Sequence, residues 1–114
     1  MTSTPGHSAS SLRWERFSIV EQLANVGSEV ERTLRAHNAG HTERFNSALG
    51  RALALFDLTA ADQRWAGHRR REVLRAREEF CRLFFEANTP TSSADGLRRY
   101  FLAFGIAARR TSSR

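Results

Sequence analysis

Lysine is absent from this chain, so all eighteen of its strongly basic side chains are arginines. A guanidinium is charged at any physiological pH and offers a planar fork of donors, which suits phosphate and carboxylate recognition. GC-rich coding, which substitutes arginine for lysine everywhere, gives the same count without a functional meaning. Cysteine occurs once, at Cys81, which excludes an internal disulfide and fits a reducing, cytoplasmic compartment. The only prolines are Pro5 and Pro90, and the long interval between them is free to be helical. No apolar run approaches the roughly 18 residues of a membrane span, so no membrane contact is expected. Residues 1–11 are polar and lack the apolar core of a secretory signal, and read as a disordered lead. The seven glycines are scattered singly, which excludes a glycine-rich phosphate loop. No segment alternates with the period of two that a strand requires.

What is present is a core. Apolar residues make up 40% of the 114, with eight Phe and two Trp, enough for one folded domain and too little for two. The net charge of +6 is unevenly divided. Residues 1–63 carry six Arg against seven acids, whereas residues 64–114 carry twelve Arg against five. The second half is the basic half, and coding bias does not explain the asymmetry.

The segment that begins at Ser18 is the most fully specified. Ser18 and Glu21 have the spacing of a capping box, in which hydroxyl and carboxylate each accept from the other residue's amide. Behind it Ile19, Leu23, Val26, Val30, then Leu34 or Thr33, and finally His37 recur at spacings of three and four. Such a stripe needs partner helices. Asn38, Ala39 and Gly40 stop the helix with a residue that tolerates positive φ. Gly27 beside the stripe lowers helix propensity by about 1 kcal/mol, which implies close approach of another backbone.

Residues 12–17, with Trp14 and Phe17, are expected to fold back over one end, Trp14 acting as a lid on the core. A second helix is predicted over 42–59, with Phe45, Leu49, Ala52, Leu53, Phe56 and Ala60 on one face and Leu55 and Leu58 outside it. Residues 61–67 read as a connection in which Asp62 caps a short turn. A third helix is predicted over 68–87, with Val73, Ala76, Phe80, Phe84 and Ala87 inward and Leu74, Cys81 and Phe85 in a second apolar row. Residues 88–95 read as a loop, closed by a Ser92 and Asp95 pair resembling a capping box. A fourth helix follows to about Arg109, with Leu97, Phe101, Phe104 and Ala108 inward and Leu102 and Ile106 outside the stripe. The fold class this predicts is all-α, an antiparallel up-down four-helix bundle over residues 12–110 with a short polar tail at 111–114.

Catalytic and metal constellations are sparse. His37 and His41 are four apart, but the helix stops between them and no third or fourth ligand is suitably spaced, so no metal and no cofactor is expected. Cys81 sits among Phe80, Phe84 and Phe85 with no neighbouring base, and reads as a buried core residue. Glu21, Asn25, Ser28 and Arg32 form a polar row that a solvated face explains. The run Arg32-Thr33-Leu34-Arg35-Ala36-His37 resembles the Arg-x4-His motif of HEPN-type helical ribonucleases. That resemblance implies His37 as general acid or base and Arg32 as the stabiliser of the phosphorane. On a straight helix, residues five apart point about 140° from each other, and His37 continues the apolar stripe, so a packed or end-capping histidine is the reading from the residues.

Binding is better supported. Arg64, Arg69, Arg70, Arg71, Arg75, Arg77 and Arg82 outnumber the acids of the third helix and its lead-in, and Arg98, Arg99, Arg109, Arg110 and Arg114 outnumber Asp95 on the fourth. Two adjacent basic helices suit a phosphate backbone, without implying base readout. The alternative is a solvated face laced by pairs such as Arg75 with Glu79 and Arg82 with Glu86. The candidate nucleic-acid-binding residues are Arg69, Arg70, Arg71, Arg75, Arg82, Arg98, Arg99, Arg109 and Arg110. Leu74, Cys81, Phe85, Leu102 and Ile106 are the candidate oligomer interface.

The runs at 21–29, 51–59 and 75–81 are similar to those of a group of short uncharacterised bacterial helical proteins. In size, helix count and charge the chain also resembles the accessory proteins of diversity-generating retroelements. That resemblance implies a homo-oligomeric bundle holding a reverse transcriptase and its nucleic acid. The function expected is therefore a non-catalytic adaptor binding RNA or DNA. A protein-binding module without nucleic-acid contact is the alternative, and a HEPN-like ribonuclease the third.

Overall fold

The structure, a computed structural model, describes residues 9–86 and 91–112. They form a short helix α1 (Ala9–Trp14), four long helices α2 (Ile19–Asn38), α3 (Thr42–Ala61), α4 (His68–Phe85) and α5 (Thr91–Ser112), and a single 3-10 turn at Gln63–Trp65. No strand occurs among the described residues, and none of their helices is long and apolar enough to cross a membrane.

α2 forms as its local sequence dictates. Glu21 N–H donates to Ser18 Oγ at 3.1 Å and Ser18 N–H to Glu21 Oε1 at 2.9 Å, closing the capping box. At the other end Gly40, at φ 73°, donates to His37 O, while His41 N–H reaches Ala36 O at 3.0 Å. These two bonds are the Schellman closure, which needs a left-handed residue at the Gly40 position.

The four long helices pack compactly, α2 lying mainly along α3 and α5 while α4 closes the other side against the same two helices. Between α2 and α3, Gln22 meets Asp62 at 3.0 Å, Glu29 meets Arg51 at 3.1 Å, and the His37 and Phe45 rings lie 5.4 Å apart. Partner numbers fall along α3 as they rise along α2. From α3 to α4 the same inverse order holds, through Ala60 with Arg70, Asp57 with Arg77, and Phe45 with Phe84.

Between the helices lies a core of Leu23, Val26, Val30 and Leu34 from α2, Ala52, Phe56 and Ala60 from α3, Val73, Ala76 and Phe80 from α4, and Leu97 and Phe101 from α5. Phe56 stands at its centre, its ring 5.7 Å from Phe80 and 6.0 Å from Phe101. Full burial of each large side chain contributes about 1.5–3 kcal/mol. At Gly27 α5 comes close: a Cβ built on it would lie 2.7 Å from Phe101 Cβ. The close approach expected there is real, and the neighbouring atom belongs to a side chain rather than a backbone.

Trp14 covers one end of the core as a lid, donating Nε1–H to Thr59 Oγ1 at 3.0 Å. Beneath it Gln22, fully buried, donates to Trp14 O and Asp62 Oδ2 and accepts from Trp65 Nε1. Asp62 also accepts from the Arg64 amide and guanidinium, and so caps the 3-10 turn. Burial pushes the Asp62 carboxyl up, but the bonds from Arg64 and Gln22 outweigh it and hold its pKa below the ordinary value. No buried side-chain polar atom among the described residues lacks a hydrogen-bond partner.

Several expectations change. α5 starts at Thr91, so Ser92 and Asp95 lie inside the helix and not in a loop. The reason is Ala94, which packs on the core and extends the stripe of Leu97 and Phe101 one turn upstream. α5 also runs past Arg109 to Ser112, and α4 ends at Phe85, with Glu86 in extended conformation as its cap. α1 begins at Ala9, ahead of the boundary expected at residue 12. Leu55 and Leu58, outside the main face, are partly buried against the core and line a cavity together with Trp14 and Phe17. Of the disordered lead expected at 1–11, residues 9–11 are helical, while residues 1–8, Ala87, the loop residues 88–90 and the end of the tail at 113–114 lie outside the described residues.

Candidate nucleic-acid interface

α4 is oriented by Val73, Ala76 and Phe80, which the core holds. At 100° per residue, Arg71, Arg75 and Arg82 then point the opposite way, and all three are exposed. Arg82 is tied to Glu78 at 3.0 Å and to Glu86 at 3.4 Å. The Arg75 and Glu79 pair anticipated beside it does not form among the ion pairs of the described residues, which leaves Arg71 and Arg75 without an acidic partner there.

The other candidates divide into struts and free cations. Arg70 Nε donates to Ala60 O at 2.6 Å and braces α4 against α3. Arg69 pairs with Glu72, and Arg98 with Glu31 of α2 at 2.9 Å and Asp95 at 3.6 Å. Arg99 and Arg110 are exposed and make no ion pair among the described residues, while Arg109 is exposed on the last turns of α5.

The level of α4 against α5 is set by Tyr100, whose hydroxyl donates to Glu72 Oε1 at 2.6 Å. Burial raises the Tyr100 pKa, and the bond to Glu72 raises it further, so the phenol stays a neutral donor. Arg71 and Arg75 lie within one turn of Glu72, and Arg99 is adjacent to Tyr100. Three exposed arginines with no ionic partner among the described residues thus lie within a turn of the Glu72–Tyr100 bond along their own helices.

The apolar candidates are not brought together. Leu74 and Phe85 are exposed, Phe85 at 69%, and Cys81 is half-buried rather than enclosed. They lie on the flank of α4 that carries Arg70 and Arg77, the flank turned toward α3. Leu102 and Ile106 are also exposed, but follow Arg98 round the side of α5 that leads toward α2. The two rows therefore diverge.

His37 is exposed, yet its ring packs against Phe45 and, at 5.1 Å, against Phe84, so it closes the end of the core opposite Trp14. Arg32 is held by Glu29 at 2.6 Å on another side of α2. His41 faces the α2–α3 groove, and no cluster of metal-ligating side chains occurs among the described residues.

That groove escaped the reading of charge along the chain. A cavity of about 690 Å³ opens between α2 and α3, lined by Arg32, Arg35, Arg44 and Arg51 with His41, Glu43 and small residues. The first half of the chain, with six Arg against seven acids, concentrates four of its six arginines here. The signal was spacing: Arg32 and Arg35 are three apart, Arg44 and Arg51 seven apart, and each pair shares a helix face.

No protein-family model, curated protein or solved structure matches the chain.

Proposed function

We propose that this chain is a non-catalytic cytoplasmic adaptor, an antiparallel up-down four-helix bundle that holds RNA or DNA through the arginines of α4 and α5. The observation that carries this reading is that Arg71 and Arg75 of α4 and Arg99 of α5 are exposed and have no ionic partner among the described residues. The inverse order of contacts between successive helices supports the antiparallel arrangement. Arg69, Arg70, Arg82 and Arg98, engaged in struts and pairs, position this surface and leave phosphate neutralisation mainly to the other candidates. A phosphate backbone that loses counterions to these side chains gives affinity without base readout.

The test is binding of purified protein to a structured RNA and a duplex DNA across about 50–300 mM salt. Each neutralised phosphate steepens the log-log salt slope by about 0.9. Replacing Arg71, Arg75 and Arg99 by Gln is expected to flatten the slope by roughly two to three units. Absence of binding by the unaltered protein at low salt refutes the proposal.

Exposure of Leu74 and Phe85 favours a second reading, a module that recognises a protein through the α3-facing flank of α4, in self-association or with a reverse transcriptase as the retroelement resemblance implies.

A further inference from the structure

The groove between α2 and α3 lies away from the α4–α5 seam, and its chemistry is more specific. We propose that it is a binding site for a phosphate monoester, held between Arg32 and Arg35 on one wall and Arg44 and Arg51 on the other. Donors facing each other from two helices match the several oxygens of a terminal phosphate. Buried Ala36 and Ala48 line the groove with small side chains that leave room, and its volume of about 690 Å³ falls in the range of small-molecule sites.

The guanidiniums are braced before any ligand arrives. Glu29, its side chain only 10% exposed, accepts from Arg32 Nη1 at 2.6 Å and from Arg51 Nε at 3.1 Å, and so ties the two walls together. Glu31 accepts from Arg35 Nε at 3.3 Å. Each brace engages one nitrogen of the guanidinium. Both Nη groups of Arg35 and of Arg51, with Nε and Nη2 of Arg32, remain to donate. Arg44 has no ion pair among the described residues, and His41 adds a ring at the rim. With Glu29, Glu31 and Glu43 all counted, four positive charges still face three negative ones. A terminal phosphate carries about −1.5 to −2 charge at neutral pH and three oxygens, and takes more from four converging guanidiniums than a diester with a single charge. The phosphate comes either from a free nucleotide or from the 5′ end of a nucleic-acid strand.

The experiment is a titration of the isotope-labelled protein with inorganic phosphate, a nucleoside monophosphate, and one short oligonucleotide with a 5′-phosphate or a 5′-hydroxyl. Saturable binding of the monophosphate, with shifts centred on the Arg35, Arg44 and Arg51 side chains, is expected. Arg35 and Arg44 are exposed and outside the core, so the double variant Arg35→Gln, Arg44→Gln retains helicity while binding weakens by about tenfold for each lost contact. The variant Arg71→Gln, Arg75→Gln binds the monophosphate as the unaltered protein does. A phosphorylated oligonucleotide that outcompetes the monophosphate identifies a strand end, and the reverse order a free nucleotide; either upholds the site. No saturable binding by the unaltered protein at millimolar monophosphate overturns the proposal, whatever the variants do. So do equal affinity for the 5′-hydroxyl strand and a groove variant that binds normally.

Discussion

Gly27→Ala tests the packing of α2 against α5 with a single methyl group. The added carbon would lie 2.7 Å from Phe101 Cβ, 3.1 Å from its Cγ and 3.3 Å from its Cδ1. Ordinary carbon contacts are about 3.5–4.0 Å. A ring at that position can rotate aside, but Cβ is fixed to the α5 backbone, so relief requires the two helices to separate. Overpacking of this kind costs about 1–3 kcal/mol, against about 1 kcal/mol regained in helix propensity. A net loss of about 1 kcal/mol lowers Tm by roughly 5 °C in a domain of this size. Gly50→Ala is the control, because no atom lies within 4 Å of a Cβ at Gly50 and its φ is not positive. There the propensity gain stands alone, and stability rises by about 0.5–1 kcal/mol. Thermal unfolding followed by circular dichroism measures both. Truncating Phe101 to Ala leaves its Cβ in place and does not rescue Gly27→Ala. A Gly27→Ala protein that melts at or above the temperature of the unaltered one refutes the close helix contact.

Gln22→Leu keeps the volume but strips Asp62, Trp65 and the Trp14 carbonyl of a partner, and is expected to cost about 2–3 kcal/mol, read as a lower denaturant midpoint at unchanged m-value. Because folding depresses the Asp62 pKa below its ordinary 3.8, the stability it contributes is present above that pH and lost as pH falls through the folded value. Asp62→Asn should therefore flatten the acid limb of the stability profile below about pH 4, and an unchanged limb in that variant argues against the assignment. Phe85→Glu, at a side chain 69% exposed, should leave helicity intact and lower the solution mass if copies meet through that flank of α4; an unchanged mass removes Phe85 from any self-contact.

α2 was legible from end to end because everything that defines it acts within a few residues. The Ser18 hydroxyl reaches an amide three positions on, the apolar stripe follows the helical period, and Gly40 closes the last turn by its own backbone freedom. For the same reason the Asp62 turn and the Trp14 lid were visible in outline. The reading along the chain failed at α5, where Ser92 and Asp95 mimic a cap locally but Ala94 gains more by burial against helices far away in sequence. Local signals leave such a competition undecided, since the winning contacts are not local.

The candidate sites divide in the same way. Composition fixes how many arginines there are and that α4 and α5 hold most of them, but not which are taken up as struts. Arg70 is bound to a carbonyl ten residues away and Arg98 to a carboxylate sixty-seven away, whereas Arg71 makes no ion pair among the described residues. The divergence of the two apolar rows, the pairing of Gln22 with Asp62, and the four arginines across the α2–α3 groove all depend on how one helix is rotated and shifted against another. Side-chain spacing sets the face within each helix. The register between helices comes from the mutual fit of Gly27 with Phe101 and of Phe56 with Phe80, contacts that exist only once the chain has folded.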